Sequence, residues 1–202
     1  VTTGPHTPRR RLSVDERRSA ILDAARACFS SASYPAVSAT EVARASGSST
    51  GLVFHYFGSK AQLYAEVVRG AAQDLADEQV RAQAALPEGV PVRDRVRARV
   101  LVQLDHVAAR GTADGLPLGG GEEPPEAVAV RREAREAQVE ALRQLLAVGD
   151  GVRHRYAVRG WLGLLDEVCR RWVEAGCPES ERHPAVDAAL GALEGALGDW
   201  RA

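Results

Sequence analysis

The chain has 202 residues, 45% apolar and 26% charged, with a net charge of −1, which excludes wholesale disorder and suits one large domain or a small one joined to a larger one. No run approaches the roughly 18 apolar residues that cross a bilayer, and the opening VTTGPHTPRRRLSVDERR lacks the apolar stretch of a secretory signal. Cys28, Cys169 and Cys177 form an odd set without CxxC spacing, which argues against a disulfide framework or a thiolate zinc site and for a reducing cytoplasm.

Charge is unevenly spread. Residues 1–60 hold eight Lys or Arg against four Asp or Glu, a balance of +4 that leaves −5 for the rest. A basic head on an acidic body suits a polyanionic partner, because phosphate contacts supply most sequence-independent affinity. A solvated surface gives the same count, so the asymmetry needs support from a motif.

Abundant Ala, Leu, Arg and Glu with few β-branched and aromatic residues predict an all-α protein. The first helix runs from about Val14 to Ser30, with Ile21, Leu22, Ala25, Cys28 and Phe29 on one stripe, and Tyr34-Pro35 breaks the pattern. Ser38-Ala39-Thr40-Glu41 is a capping box that opens a short second helix, which Gly47 stops. Ser48-Ser49 offers the next cap, for a helix of about two turns through Phe54 and Tyr56. After Gly58, Ser59 caps a longer helix whose apolar face uses Leu63, Val67, Ala71 and Leu75. Two short helices joined by a glycine turn and flanked by longer ones match a helix-turn-helix plan.

A turn from Leu86 to Pro91 leads into a helix carrying Val92, Val96, Val100, Leu104 and Val107. GTADGLPLGGGEEPP is a Gly/Pro-rich loop. A further helix spans about Pro125 to Val148. The last two helices are marked by Trp161, Leu165, Val168 and Trp172, and by Val186, Leu190, Leu193 and Leu197, with AGCPESERHP read as the turn between them. Their broad apolar faces suit either a monomer core or half of a four-helix dimer interface.

The ordered set Val42-Ala43, Gly47, Ser49-x-Gly51, Phe54-x-Tyr56-Phe57 and Ser59-Lys60-x-x-Leu63 resembles the DNA-binding domain of the TetR family of bacterial regulators. The resemblance covers residues 14–74. It implies an N-terminal three-helix DNA-binding module containing the helix-turn-helix, followed by a larger helical ligand-binding and dimerisation domain over 75–202. Residues 1–13 would form a basic, flexible arm, with Arg9, Arg10 and Arg11 open between a minor-groove contact and a tail bound without specificity.

By the same resemblance Thr50, Gly51, Leu52, His55 and Tyr56 sit where the recognition helix meets DNA, with His55 and Tyr56 bonding phosphates or simply solvated. Val53 and Phe57 would pack the module core. Thr40 is open between a backbone contact and a capping neighbour, and Arg44 between phosphate and solvent. Lys60 is the only lysine in the chain and stands at the family's phosphate-contacting position, at a helix N-terminus. Phe54 replaces a tyrosine common in the family, Leu52 a small polar residue and Ser48 an aliphatic one, and the sequence preference should shift accordingly.

The implied partners are a double-stranded palindromic operator, a second copy through the last two helices, and a small apolar effector. Its wall candidates are Leu101, Leu104, Leu116, Trp161 and Leu165, each equally credible as ordinary core. No cofactor is implied. An enzyme is disfavoured: the five histidines lack HExxH spacing, Gly119-Gly120-Gly121 lacks the Lys-Ser/Thr of a phosphate loop, and Asp105-His106 reads as one polar turn of a helix. A regulator that binds DNA constitutively or answers a protein partner is the standing alternative.

Overall fold

The computed structural model describes residues 13–110 and 122–198. Within them the order is α1 (Val14–Ser31), a single 3-10 turn at Tyr34–Ala36, α2 (Ala39–Ala45), α3 (Thr50–Phe57), α4 (Lys60–Ala84), α5 (Val92–Arg110), α6 (Pro125–Leu146), α7 (Val152–Glu174) and α8 (Glu179–Leu197), with no strand among the described residues. The arm with Arg9, Arg10 and Arg11, the loop residue Leu116 and the terminal Trp200 lie outside them.

Four helices begin on serine. Ser13 and Ser38 form full capping boxes, each accepting from the amide three residues on while Glu16 or Glu41 accepts from the serine's own amide at 2.7 Å. Ser49 and Ser59 accept from the Leu52 and Gln62 amides at 3.2 and 3.1 Å. Each satisfies a donor that the helix itself leaves unpaired.

Two cores result. The first gathers Ile21, Ala25 and Phe29 of α1, Val42 of α2, Val53 and Phe57 of α3, and Leu63 and Tyr64 of α4. Ala127 and Val130 of α6 close it, so the head is not sealed by residues 14–74 alone. The second joins Val96, Val100 and Leu104 of α5, Val139 and Leu142 of α6, Trp161 and Leu165 of α7, and Leu190 and Leu193 of α8. Trp161 Nε1 donates to the Ala189 carbonyl at 2.7 Å, tying α7 to α8. Helix α4 runs unbroken through the expected boundary at 74, and α6 packs into both cores.

Two details depart from the sequence reading. On α4, Leu63, Tyr64, Val68 and Leu75 are buried while Val67 and Ala71 are only half-buried, because the helix faces α1 and α6 on different sides along its length. The turn before α8 is also shorter than AGCPESERHP. Pro178 caps a helix that already starts at Glu179, with Glu179 and Glu181 in its first turn where acidic side chains favour the helix dipole.

Candidate nucleic-acid interface

The α2–α3 turn depends on Gly47, whose φ of 63° lies in the left-handed region that a side chain disfavours. The Ser48 amide returns to the Ala43 carbonyl at 2.8 Å, which closes α2 and aims α3 outward. The hydroxyls of Thr40 and Thr50 then meet at 3.5 Å, joining the first turns of the two helices.

On α3, Val53 and Phe57 face inward at 0% and 6% exposure. Gly51, Phe54 and His55 are exposed, while Leu52 and Tyr56 are half-buried with part of each side chain against the head core. Thr40 and Arg44 on α2 are exposed, and Thr50 is half-buried. The His55 and Tyr56 rings stand edge to face at 5.4 Å. A Cβ built on Gly51 would meet nothing nearer than Ser49 Oγ at 4.0 Å, so the backbone there is open to close approach. Phe54 lies on the same face as a 42% exposed ring, without the hydroxyl expected from its family counterpart.

Lys60 is the first residue of α4, and its Nζ sits 4.1 Å from the centroid of the Tyr34 ring. Partial burial pulls its pKa down, opposed by the charge of Glu41. An ammonium beside a helix N-terminus opposes the macrodipole, and an anion at that point relieves both. Arg18, which the sequence did not single out, braces the module by lying 4.9 Å over the Phe57 ring while reaching Glu66 at 3.3 Å.

Behind the head, Tyr64 donates its hydroxyl to Glu123 at 2.7 Å, and Arg131 of α6 closes on the same carboxylate at 2.7–3.1 Å. Burial opposes the charge of Arg131, yet its bonds to Glu123 and Tyr64 raise its pKa overall. Beside this cluster lies a cavity of about 270 Å³ lined by Phe29, Tyr64, Val67 and Arg131. A larger groove of about 430 Å³ runs between α4, α5 and α6, and a separate void of about 20 Å³ beneath it is lined by Trp161 and Leu165.

Of the expected wall residues, Trp161 and Leu165 therefore line the void, Leu104 is fully buried core and Leu101 is half-buried against it. Most of the groove wall comes from α4 and α6, which the sequence reading passed over. Asp105 and His106 diverge, to Arg182 of α8 and Glu78 of α4, and form no dyad. Among the described residues no group of three or more His, Cys, Asp or Glu side chains is placed to hold a metal, and no helix is long and apolar enough to cross a membrane.

Residues 21–67 match the model for bacterial regulatory proteins of the tetR family. The chain is 37% identical over 102 residues to the HTH-type transcriptional regulator BetI of Rhizobium meliloti (strain 1021), covering 50% of this chain and 49% of the relative, so the match spans about half of that protein. A tetR-family transcriptional regulator from Streptomyces coelicolor superposes with a TM-score of 0.73 at 25% identity, covering 93% of this chain and 81% of the other. The fold is shared, at 15% identity and a TM-score of 0.65, with FadR of Bacillus subtilis in complex with stearoyl-CoA, over 88% and 96% of the two chains.

Proposed function

We propose that this chain, whose residues 21–67 match the model for bacterial regulatory proteins of the tetR family, is a ligand-responsive repressor of that family that reads a palindromic DNA operator as a homodimer. The observation that supports the DNA reading is the helix-turn-helix itself, in which Thr40 and Thr50 meet at the first turns of α2 and α3 while Arg44, Gly51 and His55 stand exposed on the same two helices. Lys60, His55 and Tyr56 hold phosphates, Thr40 and Arg44 flank the same backbone, and Thr50 and Gly51 let α3 approach the groove. Leu52 meets base edges, most favourably a thymine methyl.

Two short heads gain affinity by symmetry, with half-sites about 34–36 Å apart or a multiple of that. The outer faces of α7 and α8 support self-association. Gly160, Gly163, Gly191 and Gly195 have open space where a Cβ would stand, and Leu164 is 38% exposed beside them. The effector site lies in the body, where more than half the chain and the groove between α4, α5 and α6 are found. Control requires that the effector favour one conformation, with a coupling of about 1–3 kcal/mol weakening operator binding five- to 150-fold.

The test is operator binding by fluorescence anisotropy across a salt series, with light scattering on the same samples. Lys60→Ala should weaken binding to all sequences alike and lower the salt slope by about one. Leu52→Thr should reorder preference among operators. An unchanged slope removes the phosphate role of Lys60, and tight binding of a palindrome by a clean monomer removes the dimer.

A further inference from the structure

Polar groups buried inside a protein are almost always paired, and the exceptions mark places where something else is expected. Helix α5 carries one such exception, with an arginine one turn before it. Gln103 is 2% exposed, and its Nε2 has no hydrogen-bond partner among the described residues. Arg99, on the same face, is half-buried without a carboxylate partner among the described residues, and burial lowers its pKa. The other buried arginines of the body differ, since Arg131 closes on Glu123 and Arg135 on Asp166. Across from α5, Gln138 of α6 presents a buried Oε1 that is also unpartnered among the described residues. Gln79 of α4 is already committed, donating to the Arg99 carbonyl at 3.4 Å.

These groups share one space. Gln79, Arg99 and Gln138 line both the groove and the void beneath it, so the two adjoin across these side chains, and Gln103 lines the void. Away from this polar end the groove is floored by Ala72, Ala76, Ala134, Ala137 and Ala141, short side chains that leave room for an apolar chain. Besides Arg99, the charged residues at the groove wall are Arg69, spent on Glu66 at 2.7 Å, and the exposed Glu133. A guanidinium with an adjacent amide donor matches the planar, two-oxygen geometry of a carboxylate, and it repels an ammonium. Rotating the Gln138 amide turns it into a further donor to the same group.

We propose that the effector site is this α4–α5–α6 groove and that its occupant carries a carboxylate on an apolar chain, the carboxylate held by Arg99 and Gln103 and the chain lying along the alanines. The assignment rests on the reading that the body binds a small molecule and names the chemistry of that molecule.

The experiment titrates the full chain calorimetrically with decanoate, decanol and decylamine, in wild type, Arg99→Met and Arg99→Lys, and measures operator affinity in parallel. Decanoate should bind at least about tenfold tighter than decanol, since hydrogen bonds to a charged group are lost in the alcohol. Decylamine should not bind. Arg99→Met should erase the preference for decanoate, and Arg99→Lys should restore part of it. Without ligand, Arg99→Met should melt about 2–4 °C higher, because a desolvated charge without a partner is removed; a structural brace would move the midpoint down. The site is overturned if decanoate fails to bind, if decanol binds as well, or if Arg99→Met keeps the preference. Decanoate binding through Arg99 without any loss of operator affinity would leave the site standing and remove ligand control. Equal operator release by decanol would leave ligand control standing and remove the site.

Discussion

Between α2 and α3 the polar side chains stand in solvent, Thr40, Arg44 and His55 among them, whereas between α4, α5 and α6 the glutamines Gln79 and Gln103 are 5% and 2% exposed. The first arrangement suits a polymer that brings its own charges and water to an open face, where long-range attraction does much of the binding and salt weakens it. The second suits a small molecule, which must be surrounded and whose few polar atoms are matched by groups already stripped of water. Under the proposed function, specificity for DNA is stored in the shape and exposure of the head, and specificity for the effector in the desolvation already borne by the body. The buried Tyr64–Glu123–Arg131 cluster and the shared helices α4 and α6 physically join the two.

The sharpest way to break this comparison is to ask whether the two regions unfold as one. Phe29 is 2% exposed at the centre of the head core, 4.8 Å from the Tyr64 ring, and Phe29→Ala should cost about 3–5 kcal/mol. All three tryptophans lie beyond residue 160 in the sequence, and Trp161 and Trp172 are buried in the body core. Because Ala127 and Val130 of α6 close the head core, tryptophan fluorescence should report the same lowered transition as circular dichroism in denaturant. A tryptophan transition left in place would make the head an independent unit.

A second effect belongs to the body alone. Asp166 is 7% exposed and paired with Arg135, yet burial pushes its pKa up to about 6, further than Arg135 pulls it back. A raised carboxylate pKa means that the folded state holds the proton longer than the unfolded one. Its stabilising contribution is thus full below the ordinary value near 4 and is lost as pH rises through about 6. The unfolding free energy of wild type from denaturant titrations should fall by an amount on the order of 2–3 kcal/mol across that window, and that of Asp166→Asn should lack this slope. Parallel profiles for the two proteins would show that Asp166 ionises normally.

The smallest expected effect on stability sharpens the head. Gly51→Ala has open space for its methyl and adds helix propensity, so the melting temperature should hold or rise, within about 1 kcal/mol. Operator affinity measured by anisotropy should fall nonetheless, because the methyl intrudes where α3 approaches the duplex. Unchanged affinity would mean that Gly51 does not face DNA.

The head was legible in the sequence because its determinants are local. Ser38 and Glu41 cap α2 across three residues, Gly47 supplies the left-handed turn between α2 and α3, and Ser49 and Ser59 start the helices that follow. Such signals act within one turn of helix and do not wait for distant packing. The burial of Val53 and Phe57 was implied by the resemblance, and their separation of four puts them on one face of a helix of eight residues. The face of α4 was misjudged at Val67 and Ala71, since a helix serving two cores has no single apolar stripe for a pattern to reveal.

By itself, then, the sequence determined the helical character of the described residues and the helix starts of the head, through interactions between residues a few positions apart. Only the tertiary structure decided that α6 seals the head, that Glu123 links Tyr64 to Arg131, and that Arg99, Gln103 and Gln138 converge on one small void. Those meetings depend on the register of three separate helices, which is set when long side chains interdigitate at the packed interfaces. An arginine and two glutamines on surface-like stretches look alike in sequence whether water or protein surrounds them, and the packing of α4, α5 and α6 is what removes the water.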